Sequence, residues 1–334
     1  MRRVAINGFG RIGRATLRVL RDTPDLEPVA INDLAPPDTL AYLLKYDTVY
    51  GRYPGVVESS KDALIIDGKR YPVFNEKAPE RLPWRDLAVD VVFECTGVFN
   101  RQEDLAGHVR AGAKFVILSA PTTSDDVPTV VHGVNTPEEP ATIISCASCT
   151  TNCITPVVEV LARRIGVRKA TVTTIHAYTA TQNLVDGRNK KLRRGRAAAS
   201  NLVPSATGAA IATTKALPQL RGKFNGVAVR APVPIGSLAD IVVMSARMTT
   251  VGEVNGIFRE EADTDRYRGI LGVSEDSIVS SDIIQESYAS ILDLSLTQVV
   301  DGDLIKVMSW YDNEWGYASQ IVREAQRFAS RSVA

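Results

Sequence analysis

Short apolar runs alternate with stretches of helical period through the first part of the chain. Residues 3–7 read as a buried strand, and the glycine-rich turn Gly8-Phe9-Gly10 follows. Ile12, Thr16, Val19 and Leu20 then recur along one helix face. Pro28 precedes a second strand, Val29-Ala30-Ile31, and further strands are expected at 89–94, 114–118 and 129–132. Residues 63–69 read as a hairpin turning at Asp67-Gly68, a pair suited to the left-handed backbone of a two-residue turn. Strands separated by helices predict α/β architecture, a doubly wound and mostly parallel sheet up to about Ser145.

Beyond that point the pattern changes. Residues 170–176 are β-branched, 227–230 and 240–244 look similar, and another hairpin is expected at Asp301-Gly302. These signals predict a second, α+β domain on a largely antiparallel sheet. Residues 178–201 are polar, basic and without clear period, and a loop of that length is usually functional. Residues 315–330 read as a closing helix with Ile321, Ala325 and Phe328 on one face. The expected division is 1–148, with helix 315–334 packing back on it, and 149–314.

Composition narrows the function classes. At 334 residues, two domains are the natural expectation, and 45% hydrophobic with 23% charged residues is a globular average. Lys and Arg (39) nearly balance Asp and Glu (38), so no broad field favours nucleic acid or an anionic membrane. No run is long and apolar enough to span a bilayer, and no signal-peptide pattern follows Met1-Arg2-Arg3. Three of the four cysteines, Cys146, Cys149 and Cys153, fall within eight residues. That crowding suits neither a disulfide framework nor a dispersed zinc site, so a reducing cytoplasm and no metal are expected.

Gly8-Phe9-Gly10-Arg11-Ile12-Gly13 fits G-x-G-x-x-G after a strand and at the start of a helix. Gly8 would allow the tight turn, Gly10 the close approach of a pyrophosphate, and Gly13 the packing of helix on sheet. Asp33, twenty residues after Gly13, would take the adenosine ribose hydroxyls and repel a 2′-phosphate. These features point to a Rossmann-type domain that binds NAD in preference to NADP.

Ser148-Cys149-Thr150-Thr151-Asn152 precedes a helical stretch, so Cys149 would sit where exposed amides and the helix dipole favour thiolate. Of His108, His132 and His176, the last is best placed as a base, where a strand gives way to the polar loop. Cys149 as a small buried hydrophobe is the competing reading at this stage. Cys153, one helical turn on, reads as packing, as do Cys146 and Cys95.

Five motifs carry a resemblance. They are 7–14, Leu43-Leu44-Lys45-Tyr46-Asp47, Ala147 to Asn152, His176-Ala177-Tyr178-Thr179, and Trp310-Tyr311-Asp312-Asn313-Glu314-Trp315-Gly316-Tyr317. In their order, over nearly the whole chain, they resemble the glyceraldehyde-3-phosphate dehydrogenase family. The resemblance implies phosphorylating oxidation of glyceraldehyde 3-phosphate with NAD, Cys149 as nucleophile and His176 as base. It implies cofactor contacts from Gly8, Phe9, Gly10, Arg11, Ile12, Gly13, Asp33, Ser119 and Asn313, the last holding the nicotinamide carboxamide. It also implies two anion sites: Thr179, Thr181 and Arg230 for the substrate's phosphate, and Ser148, Thr150, Arg194, Thr207 and Gly208 for inorganic phosphate. A homotetramer is implied, with the basic loop Lys190 to Arg196 at a subunit interface.

Two departures stand out. The family commonly has aspartate at the position of Thr181, and Leu-Pro or Gly-Pro where this chain has Gly187-Arg188. By resemblance that spot nears the ribose in an adjacent subunit, so Arg188 either pairs with a 2′-phosphate and lets NADP be tolerated or is a surface arginine on a flexible loop. A sister dehydrogenase acting on erythrose 4-phosphate would differ around 179–182. A cysteine hydrolase would leave the dinucleotide fingerprint and Asn313 without purpose.

Overall fold

The computed structural model describes residues 1–137 and 139–331. Two compact units result, residues 1–130, 136–147 and 321–334 in one, and 131–135 and 148–320 in the other. Positions 332–334 of the expected closing helix lie outside the described residues.

The first unit contains Arg2–Asn7 (β1), Arg11–Leu20 (α1), Leu26–Asn32 (β2), Pro37–Lys45 (α2), Val57–Ser60 (β3), Ala63–Ile66 (β4), Lys69–Phe74 (β5), Val91–Glu94 (β6), Gln102–Arg110 (α3), Phe115–Leu118 (β7) and Ile143–Ser145 (β8). Among the described residues they form one sheet in the order β3-β4-β5-β2-β1-β6-β7-β8, parallel from β5 to β8 and antiparallel through β3, β4 and β5. The β4–β5 turn uses Asp67 at φ 51° and Gly68 at φ 78°, the left-handed pair anticipated there. Strand order reverses at β1, with β2 on one side and β6 on the other. The carboxyl ends of these strands therefore open a crevice where a ligand can enter. Val4, Ala5 and Ile6 are fully buried, as a central strand covered on both faces requires.

One expected strand does not form. Thr129 makes only an isolated bridge to Ser145, and the chain then turns, with Val134 N donating to Val131 O and Gly133 at φ 76°. The glycine supplies a left-handed turn that ends the apolar run Val130-Val131.

The second unit contains Cys149–Arg164 (α4), Val167–Ala177 (β9), Val203–Ala206 (β10), Ala209–Ala216 (α5), Phe224–Ala231 (β11), Ser237–Ser245 (β12), Val251–Ala262 (α6), Leu271–Ser274 (β13), Ser290–Val300 (β14) and Leu304–Tyr311 (β15). The sheet runs β10-β11-β9-β12-β15-β14-β13 and is largely antiparallel, with parallel pairs β11–β9 and β13–β14. Its apolar face packs on α4 and α6 through Ile154, Val157, Leu161, Val254 and Phe258 against Val172, Ile241, Val243 and Ile305. Ser148 groups with this unit, and its hydroxyl caps α4 by accepting from Thr151 N at 3.1 Å. Trp315–Arg331 (α7) begins in the second unit and joins the first from Ile321, where Ile321, Ala325 and Phe328 are buried and the Phe328 ring meets Phe115. The stretch from Tyr178 to Asn201 is irregular apart from single helical turns at Leu192–Gly195 and Ala198–Ser200.

Candidate active site

In the first unit the crevice holds a cavity of about 530 Å³, lined among others by Asn7, Gly8, Gly10, Asn32, Asp33 and Thr96. The three glycines serve three purposes. Gly8 has φ +90°, and a Cβ there would lie 2.6 Å from Thr96 N. A Cβ on Gly13 would lie 2.1 Å from Gly8 O, so helix and turn could not close together. A Cβ on Gly10 would meet no protein atom within 4 Å, and it would project into open space at the start of α1. That is the pattern of a turn shaped to bring backbone amides against a phosphate. Asp33, just past β2, is fixed by amides: Phe9 N donates to Oδ2 at 2.7 Å and Ala35 N to Oδ1 at 2.9 Å. Its remaining lone pairs can accept from ribose hydroxyls. The residues present therefore fit a dinucleotide.

Not every expected cofactor residue faces this cavity. The Arg11 guanidinium is paired with Asp47 and stacks over Tyr50, which leaves its backbone rather than its charge for a diphosphate. The Phe9 ring is buried, so Phe9 contributes its backbone at the turn. Ser119 lies just past β7, its N–H donating to Glu94 O, outside the cavity lining.

In the second unit, period-two alternation along β9 buries Val172, Thr174 and His176 on one face. Helix α4 covers that face, and its first residue is Cys149. The Cys149 Sγ lies 3.4 Å from His176 Nε2. The opposite ring nitrogen, Nδ1, lies 2.6 Å from Arg230 Nη1 and 2.7 Å from Ala177 O. Arg230 stands opposite His176 on β11, in register, and it also donates to Ala177 O at 3.1 Å. Arg230 Nη1 can only donate and Ala177 O can only accept, so Nδ1 satisfies one of them at a time: as acceptor it leaves the hydrogen on Nε2 facing sulfur, and as donor it frees Nε2 to accept.

The electrostatics differ from the expectation of a thiolate stabilised by the helix start. Burial pushes the Cys149 thiol above its ordinary value, against the pull of Arg230 and the amides of Cys149 and Thr150. His176 is pushed down to about 3, by burial first and then by the charge of Arg230. Desolvation of the half-buried Cys149 outweighs the helix-end amides and the one arginine.

The expected anion-binding residues lie in the same unit with varied partners. Arg194 Nη1 donates to Thr181 Oγ1 at 2.8 Å, and Thr181 Oγ1 lies 2.9 Å from Thr179 Oγ1. This joins Arg194 to the threonines of the other proposed site. Arg194 Nε and Arg230 Nε are buried without a hydrogen-bond partner among the described residues. Buried guanidinium N–H groups left open are donors awaiting an anion. Thr207 Oγ1 accepts from Ala209 N beside Gly208, which precedes α5. Thr150 turns inward, its Oγ1 2.9 Å from the Tyr311 hydroxyl.

Residues 2–102 match the NAD binding domain of the glyceraldehyde 3-phosphate dehydrogenase family, and residues 148–313 match the C-terminal domain of the same family. The chain is 50% identical over 328 residues to the glyceraldehyde-3-phosphate dehydrogenase of Thermotoga maritima, covering 96% of this chain and 97% of that one. To those of Clostridium pasteurianum and Geobacillus stearothermophilus it is 47% and 45% identical, over 98–99% of this chain and 99% of each relative. The chain belongs to the glyceraldehyde-3-phosphate dehydrogenase family.

Sequence reasoning missed two residues of this family member's second unit. Tyr311 places its hydroxyl 2.9 Å from Thr150 and 2.7 Å from Thr174, with its ring edge-on to His176. Ser237 accepts from Ala177 N at 3.1 Å and donates to Asn313 Oδ1 at 2.9 Å, which leaves the Asn313 amide hydrogens to serve as donors. Both depend on cross-strand partners, Ser237 standing opposite Tyr311. No local pattern gives these roles, although Tyr311 lies within the motif Trp310 to Tyr317.

Proposed function

We propose that the chain oxidises glyceraldehyde 3-phosphate with NAD and inorganic phosphate to 1,3-bisphosphoglycerate, a step of glycolysis and, reversed, of gluconeogenesis. The observation that carries this reading is Cys149 Sγ facing His176 Nε2 at 3.4 Å, at the start of a helix inside the family's C-terminal domain. Sulfur attacks the aldehyde carbon, the C=O π bond opens, and the thiol proton reaches the new oxygen through Nε2 to give a thiohemiacetal. Nε2 then takes the hydroxyl proton as hydride leaves the carbon, and a thioester remains. NAD, when bound, supplies the hydride acceptor. A phosphate oxygen attacks the thioester carbonyl, the C–S bond breaks, and thiolate is restored.

Nε2 accepts a proton in the tautomer whose Nδ1–H donates to Ala177 O, 2.7 Å away. A substrate phosphate that engages Arg230 would draw the guanidinium from Nδ1 and favour that tautomer. Thr179 and Thr181 complete that phosphate site in this reading, and Ser148, Thr150, Arg194, Thr207 and Gly208 hold the attacking phosphate. The unpartnered Nε of each arginine supports both assignments. In this reading Gly8 to Gly13 and Asp33 take the diphosphate and adenosine ribose, Ser119 is a further cofactor contact, and the Asn313 amide meets the carboxamide.

NADH formation from glyceraldehyde 3-phosphate and NAD, followed with and without inorganic phosphate, tests the reading. Sustained turnover is expected only with phosphate. Equal turnover without it would mean that water resolves the thioester and would replace the phosphorylating assignment.

Leu184, Val185 and Leu192 in the basic loop are 75%, 72% and 88% exposed, which supports a homotetramer with this loop at an interface. The reading extends to a cytoplasmic setting, which four cysteines without a disulfide suit. Among the described residues no helix is long and apolar enough to cross a membrane. NAD is the preferred cofactor, with NADP tolerated through Arg188. Arg188→Ala is expected to raise the NAD to NADP ratio of kcat/KM several-fold, and an unchanged ratio removes Arg188 from the account.

A further inference from the structure

Glu94, the last residue of β6, is fully buried and takes no part in the chemistry above. Each group it meets is a donor. Asn7 Nδ2 and His108 Nε2 approach Oε2 at 2.5 and 3.1 Å, and Thr96 N and Oγ1 approach Oε1 at 2.8 and 2.5 Å. The directions are fixed by the next neighbours. The Trp84 indole N–H can only donate and lies 2.9 Å from His108 Nδ1, so that nitrogen accepts and Nε2 bears the hydrogen. Asn7 must point its amide at Glu94 because its carbonyl oxygen accepts from Asn32 Nδ2 at 2.7 Å. Asn32 in turn holds the backbone of Glu76 through both ends of its side chain. No member can reverse without leaving a buried polar group unpaired.

Asn7, Asn32, Glu76 and Thr96 all line the dinucleotide cavity. The amide of Thr96 is also the atom against which Gly8 packs, and Thr96 Oγ1 accepts from Val98 N at 3.1 Å. We infer that Glu94 is a positioning residue for cofactor binding, one carboxylate that sets the glycine turn, the β2 end and the Thr96 edge in a single preformed arrangement. This deepens the NAD reading and rests on it. A cradle held this way binds without paying to order its loops.

Glu94→Gln keeps the size but must aim its new amide hydrogens either at the Thr96 donors or at those of Asn7 and His108. NAD affinity, measured by calorimetry on the full chain well below its unfolding transition, is expected to fall about tenfold to a hundredfold. Trp84→Phe frees the His108 tautomer, so adding it to Glu94→Gln lets Nε2 accept from the new amide. The double variant is expected to regain part of the lost affinity despite a lower Tm. Should Glu94→Gln fail to fold, Thr96→Val removes only the hydroxyl arm and is expected to weaken NAD several-fold. Native NAD affinity in folded Glu94→Gln or in Thr96→Val, or a double variant that binds worse still, overturns the inference. An unaltered chain that binds no NAD overturns the NAD reading along with it.

Discussion

Cys149→Ser is expected to bind NAD as the unaltered chain does and to lose turnover by about 10⁴-fold or more. Serine fits the first turn of α4 without strain, and Ser148 keeps its cap, so the fold around the site persists. What changes is the nucleophile. A hydroxyl ionises far less readily than a thiol, and a half-buried position that already disfavours thiolate disfavours alkoxide more strongly. Even an alcohol that did attack would form an ester, a poorer acyl donor to phosphate than the thioester. Steady-state rates beside a NAD titration separate these effects, and turnover near that of the unaltered chain would remove Cys149 from the mechanism.

His176→Asn is expected to slow the oxidation by about 10²–10⁴-fold, the usual contribution of a positioned acid–base group. Asparagine cannot shuttle a proton between sulfur, alkoxide and hydroxyl. The same change should shift the pH dependence of Cys149 alkylation. With the imidazole gone, the thiolate loses a donor at 3.4 Å, so the thiol ionises at higher pH than before and the alkylation midpoint moves upward. Rates of alkylation across pH check this. An identical profile in both proteins would show that His176 does not influence the thiol, whatever its effect on turnover.

Much of this arrangement is legible in the sequence. The glycine turn and Asp33 follow from local requirements, a strand end, a left-handed φ and a helix start, and such requirements leave a mark in neighbouring residues. Cys149 beside His176 was legible only in part. The helix start marked the cysteine, but the partner is 27 residues away and meets it through the face that β9 turns toward α4. The strand expected at 129–132 failed because an apolar run does not reveal that Gly133 will turn the chain. The roles of Ser237 and Tyr311 are not legible in the sequence because they arise across strands. The protonation of the pair is hard to read from the sequence for a related reason. Helix amides and neighbouring bases are countable in a sequence, whereas burial, the largest influence on both groups, is a property of the packed whole.

The three glycines of the turn also answer to different masters over evolutionary time. Gly8 and Gly13 are held by the protein's own backbone, since a methyl at either would strike it, so folding alone preserves them. Gly10 meets nothing of the protein within 4 Å, so only a ligand can object to a side chain there. In a lineage that ceased to bind the dinucleotide, Gly10 would be the first of the three to drift while the other two stayed. Its presence marks selection for binding, theirs selection for a chain that folds.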